Sequence, residues 1–362
     1  MKINEKRLKN LLLELVDIYS PSGKEEEIVE FTEKYLKKHD LPVRRQEVDE
    51  NRYNLIVFPH HKDEVELCFV GHLDTVTAHD LEDFGPHEKN DTISGLGTTD
   101  MKAGCAAMIE AFINLAGKKE WPPVGLALVV GEEEDSSGAK ALMEGYSFPW
   151  AVIGEPTSLV PCLGHYGYLE VMLRTEGKKA HSSMPELGHN AIEYMLNLLL
   201  HITEYASAAP QGLVYNIREL SGFPGGFVVP DACEAWLDLH LPPNAKIDIL
   251  KTELEHLVKS TGDRIKGLSA RLKFEETYAG YRISEERPLI GKLKETFTKM
   301  SLPWQPQDFR SHSDGSALGA AGVDPIVLGP GRLEAAHTPE ESVSFEQVVQ
   351  AARLYFNLAQ SL

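Results

Sequence analysis

Cysteine is scarce in this 362-residue sequence, and the four that occur, Cys68, Cys105, Cys162 and Cys233, are scattered without a C-x-x-C pair. That spacing argues against a disulfide framework and for reduced thiols in a cytoplasmic protein. No apolar stretch approaches the roughly 20 residues a membrane helix needs. The N-terminus "MKINEKRLKNLLLELVDIYS" also lacks a signal-type apolar core, because Glu14 and Asp17 interrupt its leucines, and it reads as an amphipathic helix. Positive charge is in deficit: 36 Lys and Arg face 55 Asp and Glu, a formal net charge of −19. Such a field repels phosphate backbones and anionic lipid, so neither nucleic acid nor a membrane surface is an expected partner. There is no G-x-S-x-G elbow for a serine hydrolase, and a single "GLG" is too short for a dinucleotide fingerprint. Internal repeats and low-complexity segments are absent.

What is present is an ordinary globular composition, with 42% hydrophobic and 25% charged residues, and enough length for two domains with cores of their own. "SPSGKEEEIVEFTEKYLKKHDLP" reads as a turn, a cap at Ser22 and a helix ended by Pro42. Strands are expected at "NLIVF", "VELCFVGHLD", "VGLALVV" and "AVIGEP", with a helix between Asp100 and about Leu115; that alternation argues for an α/β layer. From His165 the texture changes to the alternating strands "GYLEVMLRTEG", "EAWLDLHLPP" and "LSARLKFEETY", with helices between them. This is an inserted α+β domain of ferredoxin-like type, expected over residues 165–277. The α/β texture returns after Tyr278, with a helix near Leu289 to Met300, a strand at "DPIVLG" and a closing helix from about Ser344. The first domain, 1–164 plus 278–362, is therefore discontinuous.

Open α/β sheets carry their ligand sites outside the carboxyl ends of the strands, and here those ends are rich in metal-ligand types. "CFVGHLDTV" ends in His72 and Asp74, two apart on an extended chain. "GLGTTDMKAG" sets Asp100 where a glycine-rich loop enters a helix, a position that also suits a capping carboxylate. "VVGEEED", "VIGEP" with Glu155 and "AAHTPEE" with His337 follow other strands. The run Glu132–Asp135 is open to two readings, a solvated charge run or a cation site. Oxygen and imidazole donors of this kind suit Zn²⁺, Mn²⁺ or Co²⁺, and the share of carboxylates suits two ions rather than one.

At these residues the chain resembles a known family. "GHLDTV", "GLGTTDMKAG", "GEEEDSSGA", "GEPTS", "KKAHSSMPELGHNA" and "LGPGRLEAAHTPEE" match, in order and spacing, the dinuclear zinc amidohydrolases and peptidases. These include acetylornithine deacetylase, succinyl-diaminopimelate desuccinylase, glutamate carboxypeptidase and various di- and tripeptidases. The resemblance covers nearly the whole chain and implies a mixed-sheet catalytic domain with an inserted lid and dimerisation domain. It further implies two Zn²⁺ per subunit, replaceable by Co²⁺ or Mn²⁺, with His72 and Glu155 on one, Glu133 and His337 on the other, and Asp100 bridging both through a residue followed by a cis peptide bond. Asp74 would orient His72, and Glu132 would be the general base and acid. His181 would reach a neighbouring subunit's site to stabilise the oxyanion, which implies a homodimer formed through the insert and closure on binding.

Other residues suggest themselves less strongly. Cys68 reads as a buried strand residue, and His60, His61, His79 and His87 as polar loop residues. "SHSDG" is assigned to the wall of the substrate pocket, beginning after Arg310 and including His312, Ser313 and Gly315. Where many family members place Asn and Arg to handle a substrate carboxylate, this chain has Phe227 and His240. An imidazole cannot reproduce the bidentate grip of a guanidinium, so Arg218, Arg282 or Arg310 is left to supply that charge, or the substrate differs. The expected activity is amide hydrolysis of an N-acyl amino acid or small peptide, a deacylase being favoured. The alternatives are a metallo-exopeptidase acting on unblocked peptides and a non-catalytic binding descendant.

Overall fold

The apolar run expected as a strand forms over Leu67–His72 with every residue buried. Strands covered on both faces read as continuous apolar runs rather than as alternation, and the neighbours Val124–Val129 and Trp150–Pro156, both parallel to it, have the same character. Asp324–Gly329 extends the sheet parallel to Trp150–Pro156 on one side. On the other, Arg52–Val57 and then Val43–Asp49 add antiparallel strands. The computed structural model of the chain describes residues 3–59, 63–118, 120–208, 212–223, 226–262 and 267–362; His60 and His61 lie outside the described residues.

Helix Ala103–Ala116 lies against this sheet and is buried over most of its length, from Ala103 to Phe112 and at Leu115. Its small residues permit the close approach. A Cβ at Gly104 would stand 2.3 Å from the carbonyl oxygen of Gly154 in the sheet, so only glycine fits there. Phe69 anchors the layer edge-on to Phe112 and Tyr355, at 5.7 and 5.5 Å between ring centroids; Tyr355 belongs to the closing helix Phe345–Ala359. The consequence for function is positional: the turn that carries Asp100 is delivered to the carboxyl ends of the strands.

Two details differ from the sequence reading. Helix Glu26–Lys38 begins without a side-chain cap, and Ser22 instead donates its hydroxyl to Asp74 Oδ2 at 2.7 Å. The helix also stops at Lys38, before Pro42 is reached.

The chain divides into two compact units, one of Met1–Gly164, Ile283–Phe309 and Ser313–Leu362, the other of His165–Arg282 and Arg310–His312. The expected limit of the second unit is 277; by its contacts it runs to Arg282 and takes in Arg310 and His312. Its four antiparallel strands are ordered Val214–Phe223, Ala232–Leu241, Gly167–Glu176, Ser269–Tyr278. Helices Ala191–Ala208 and Ile247–Gly262 interleave with them in the chain to give the β-α-β-β-α-β ferredoxin-like order. Leu169, Val171 and Leu173, alternate residues of one strand, share a core with Met195 and Leu198 of the first helix and Leu254 of the second. Among the described residues no helix is long and apolar enough to cross a membrane.

Candidate metal centre

All five expected ligands lie in the first unit, and each is set by the end of an element. His72 closes strand Leu67–His72. Asp100 precedes helix Ala103–Ala116 in a non-helical backbone, and the Asp100–Met101 peptide is cis. Glu132 and Glu133 occupy the turn after Val124–Val129, Glu155 sits near the end of Trp150–Pro156, and His337 follows the short turn Leu333–Ala335.

These ends converge. His72 Nε2 is 3.2 Å from Asp100 Oδ1, 3.5 Å from Glu155 Oε1 and 3.8 Å from Glu132 Oε2. His337 Nε2 is 3.3 Å from Asp100 Oδ2 and 3.0 Å from Glu133 Oε2. Two three-residue groups, His72–Asp100–Glu155 and Asp100–Glu133–His337, each place one ligand atom per residue within 4.8 Å of the others, and they share Asp100 through opposite carboxylate oxygens. A third group, His72–Glu132–Glu133, has the same compactness.

The donor chemistry fits divalent cations. His72 Nδ1 lies 3.0 Å from the carbonyl oxygen of Asp74; a proton held there leaves Nε2, which faces Asp100 and Glu155, with a free lone pair. Glu155 Oε1 is buried with no hydrogen-bond partner, a costly arrangement unless a cation completes it. Burial pushes the proton affinity of Glu132 and Glu155 well up, with further help from neighbouring carboxylates, and raises that of Glu133 in the same way. For Asp100 burial acts in the same direction, but hydrogen bonds from His337 and His72 outweigh it and hold the carboxyl below its usual range. His337, bonded to Asp100 and Glu133, is pushed up to about 11. For His72 burial opposes the charge, and Glu155, Asp100, Glu132 and Asp74 overcome it. All these shifts describe one thing, a negative potential of the kind that bound dications relieve.

Asp74 does something the sequence did not suggest. Its carboxylate is 3.6 Å from His72 Nδ1 and is committed elsewhere, accepting the backbone N–H of Glu132 at 3.2 Å, that of Glu133 at 3.0 Å and the Ser22 hydroxyl at 2.7 Å. The backbone of Asp74 orients the histidine, and its side chain orients the two glutamates.

The remaining expected residues are distributed differently. Ser313 is buried and caps helix Asp314–Ala320 by accepting the N–H of Gly315 at 3.1 Å. Both residues belong to the first unit, whereas Arg310 and His312 belong to the second. In the second unit His312 packs against Tyr168 and Tyr278, at 5.3 and 4.8 Å, and Tyr168 also meets His240 at 5.4 Å. His240 Nδ1 is buried with no hydrogen-bond partner. Arg218 is engaged by Asp238 at 3.1 Å and by Glu170. It is therefore a poor candidate for a substrate carboxylate, while Arg310 stands over the Tyr166 ring at 5.9 Å. His181 is exposed, with Nδ1 2.8 Å from Ser183 Oγ. Its strand-like pairing with Val228, and the bond from Ser182 N to the carbonyl of Phe227, bring His181 and the exposed Phe227 onto neighbouring segments.

Two acids escaped the sequence reading. Asp314 is fully buried with Oδ1 unpartnered, and burial pushes its carboxyl up to about 7 against the pull of His72. Glu341 is buried with its carboxylate on the Asp100 turn. The one available signal was an acid within each of the quoted motifs "SHSDG" and "AAHTPEE".

Comparison with known proteins agrees with this geometry. The model of the family described as peptidase family M20/M25/M40 matches residues 68–361. The chain is 29% identical over 340 residues to an acetylornithine deacetylase of Vibrio atlanticus, covering 89% of this chain and 87% of that one. Among solved structures it is similar to a tripeptidase of Staphylococcus aureus, with a TM-score of 0.83, 23% identity and 99% of both chains covered. It is also similar to a Bacillus subtilis protein described as a dinuclear metal binding peptidase, with a TM-score of 0.69, 13% identity, and 98% and 97% covered.

Proposed function

The chain belongs to peptidase family M20/M25/M40 and is a hydrolase, and on that premise we propose that it cleaves the amide bond of an N-acyl amino acid with two zinc ions bound per subunit. The observation that carries this reading is the pair of ligand groups sharing Asp100 through its two oxygens. In it, His72, Glu155 and Asp100 would hold one ion, and Asp100, Glu133 and His337 the other. Two such cations, when bound, activate a water and polarise the scissile carbonyl. Glu132 takes the proton from that water on its buried carboxylate, then delivers it to the departing amine, a service contributing about 10²–10⁴ in rate. Asp74 holds Glu132 and Glu133 in register through their backbone N–H groups.

His181 is assigned to stabilise the developing oxyanion of a partner subunit, which makes a homodimer through the second unit part of the reading. Phe227, His240 and His312 are assigned to the substrate's acyl or side-chain end, with Arg310 as the group for its carboxylate and Gly315 near the same loop. The deacylase reading takes support from the acetylornithine deacetylase relative. An exopeptidase reading takes support from the tripeptidase fold match.

The test is a panel of N-acetyl amino acids, dipeptides and tripeptides incubated with the protein and added Zn²⁺, Co²⁺ or Mn²⁺. Release of acetate from N-acetyl amino acids is expected, whereas cleavage of free peptides alone would transfer the assignment to an exopeptidase. A protein that bound two metals and left every compound intact would end the catalytic reading. In Glu132→Gln both ions should stay bound and turnover should fall by 10² or more.

A further inference from the structure

We propose that Glu341 is a positioning residue that sets the spacing of the two ligand groups, a role that rests on the metal-centre reading above. Glu341 lies four positions after His337 and is 3% exposed. Its Oε2 accepts the N–H of Gly97 at 2.9 Å, and its Oε1 accepts those of Thr99 at 2.8 Å and Asp100 at 3.1 Å. A carboxylate that gathers three backbone N–H groups makes charge-assisted bonds, the stronger class. Gly97, at φ +74°, supplies the left-handed bend that lets successive N–H groups point to one side. The same two segments are tied a second time, by Gly95 N to the carbonyl of Glu341 at 3.2 Å and by Thr99 Oγ1 to the carbonyl of Ser342 at 2.7 Å. Beyond them, strand Ser342–Ser344 pairs with Thr92–Ser94.

The consequence follows from what each segment carries. The turn 97–100 ends in Asp100, the residue common to both ligand groups, and the loop before Glu341 carries His337, which faces Asp100 Oδ2 at 3.3 Å. Neither segment belongs to a long helix or strand at these positions. The Glu341 carboxylate joins them, beside the single Thr99 hydroxyl bond, and it alone of the two accepts the N–H of Asp100 itself. A glutamine cannot substitute, because its NH₂ would face either the Gly97 donor or the Thr99 and Asp100 donors. An aspartate keeps the charge but is one methylene too short to meet all three.

Zinc binding to wild type, Glu341→Gln and Glu341→Asp would be measured by competition with a chromophoric chelator, with circular dichroism to verify folding. The weaker of the two zinc affinities is expected to fall tenfold or more in Glu341→Gln and by an intermediate factor, threefold or more, in Glu341→Asp. A purely structural staple would lower the melting temperature and leave the zinc affinities within twofold, and that result in whichever variant folds overturns the proposal. If neither variant folds, the carboxylate serves the fold as a whole and the positioning role is equally overturned. Failure of the underlying reading is visible separately: wild type would then bind no zinc, or Asp100→Asn would bind it undiminished.

Discussion

Replacing Asp74 by asparagine isolates the link between a buried carboxylate and the two glutamates of the centre. Asp74 is 0% exposed and meets three donors, Glu132 N, Glu133 N and the Ser22 hydroxyl. Glu132 N points at Oδ1, whereas Glu133 N and Ser22 point at Oδ2. The amide can turn either way. With its oxygen in the Oδ2 place it keeps Glu133 N and Ser22 and sets an NH₂ against Glu132 N–H. Turned over, it keeps Glu132 N, orphans Glu133 N–H, and Ser22 rotates to accept. Either way one buried backbone N–H is left unsatisfied, which costs about 1–3 kcal/mol. Asp74→Ala orphans all three donors and costs roughly two to three times as much, a large part of a total stability of about 5–15 kcal/mol. Urea unfolding of wild type, Asp74→Asn, Asp74→Ala and Ser22→Ala measures this ladder. Because the orphaned group is the backbone of the proton carrier or of its neighbour, a displacement of about 1 Å also lowers kcat by about 10²-fold. Asp74→Asn with stability within 0.5 kcal/mol of wild type and unchanged kcat would refute the account, since neither orphan could then exist.

Other expectations follow from single contacts. Gly104→Ala sets a Cβ 2.3 Å from the Gly154 carbonyl, a backbone atom that cannot swing aside, so about 1–3 kcal/mol of stability should be lost in thermal or urea unfolding; a neutral substitution would mean the helix can slide off the sheet. Burial pushes His165 down to about 4. The unfolded chain then binds more protons than the folded one between its ordinary value near 6.5 and about 4, and stability contributed by this group is full above that window and lost as pH falls through it, at up to about 1.4 kcal/mol per pH unit. His165→Phe should flatten that part of the stability–pH curve and leave the neutral-pH end nearly unchanged. Chelation should lower the melting temperature, since ligand at 100 times its dissociation constant stabilises by about 2.7 kcal/mol; an unshifted melt would show that no tight metal binds the native state.

The parts of the fold legible in the sequence are those where burial acts on both faces of a strand. Leu67–His72, Val124–Val129 and Asp324–Gly329 could be read as apolar runs because their interior residues are apolar, polar side chains being confined to the ends, at His72 and Asp324. Val43–Asp49 and Val214–Phe223 could not, because they lie at sheet edges where neither face is fully covered and charged residues are tolerated. In the candidate site, residue type and position at strand ends and at the glycine loop pointed to His72, Asp100, Glu155, His337 and the acidic run 132–135, whereas the choice of Glu133 within that run came from the family resemblance. Partner choice was only partly legible: Asp74 does meet His72, through its backbone carbonyl at 3.0 Å and its carboxylate at 3.6 Å, but Ser22 passed for a cap and the N–H groups of Glu132 and Glu133 were not visible as partners of Asp74, because a side chain's donor is fixed by tertiary proximity. Glu341 was invisible for the same reason, since its three partners are backbone groups that carry no sequence signature.

The acidic run after Val124–Val129 separates by burial into two halves: Glu132 and Glu133 turn inward, and Glu134 and Asp135 stay exposed. That division bears on how many cations the centre takes. The charge of Asp74 is met by two N–H groups and a hydroxyl, and Lys102, the nearest buried cation in the sequence, gives its Nζ to the Ile18 carbonyl at 2.8 Å. Asp100, Glu132, Glu133 and Glu155 make up the ligand groups, four carboxylates around two imidazoles with Glu155 Oε1 buried and unpartnered; Asp314, held towards its protonated form by burial, stands outside them. Like charges about 4 Å apart repel by about 4 kcal/mol even at an effective dielectric of 20. One dication would leave two of the four negative charges uncompensated, and two dications balance all four with both histidines neutral and their Nε2 atoms free to bind. A binding isotherm should therefore saturate at two ions per chain, with the second bound more weakly than the first because it meets half the negative charge. Saturation at one ion would require that two of these carboxyls stay protonated in the loaded state.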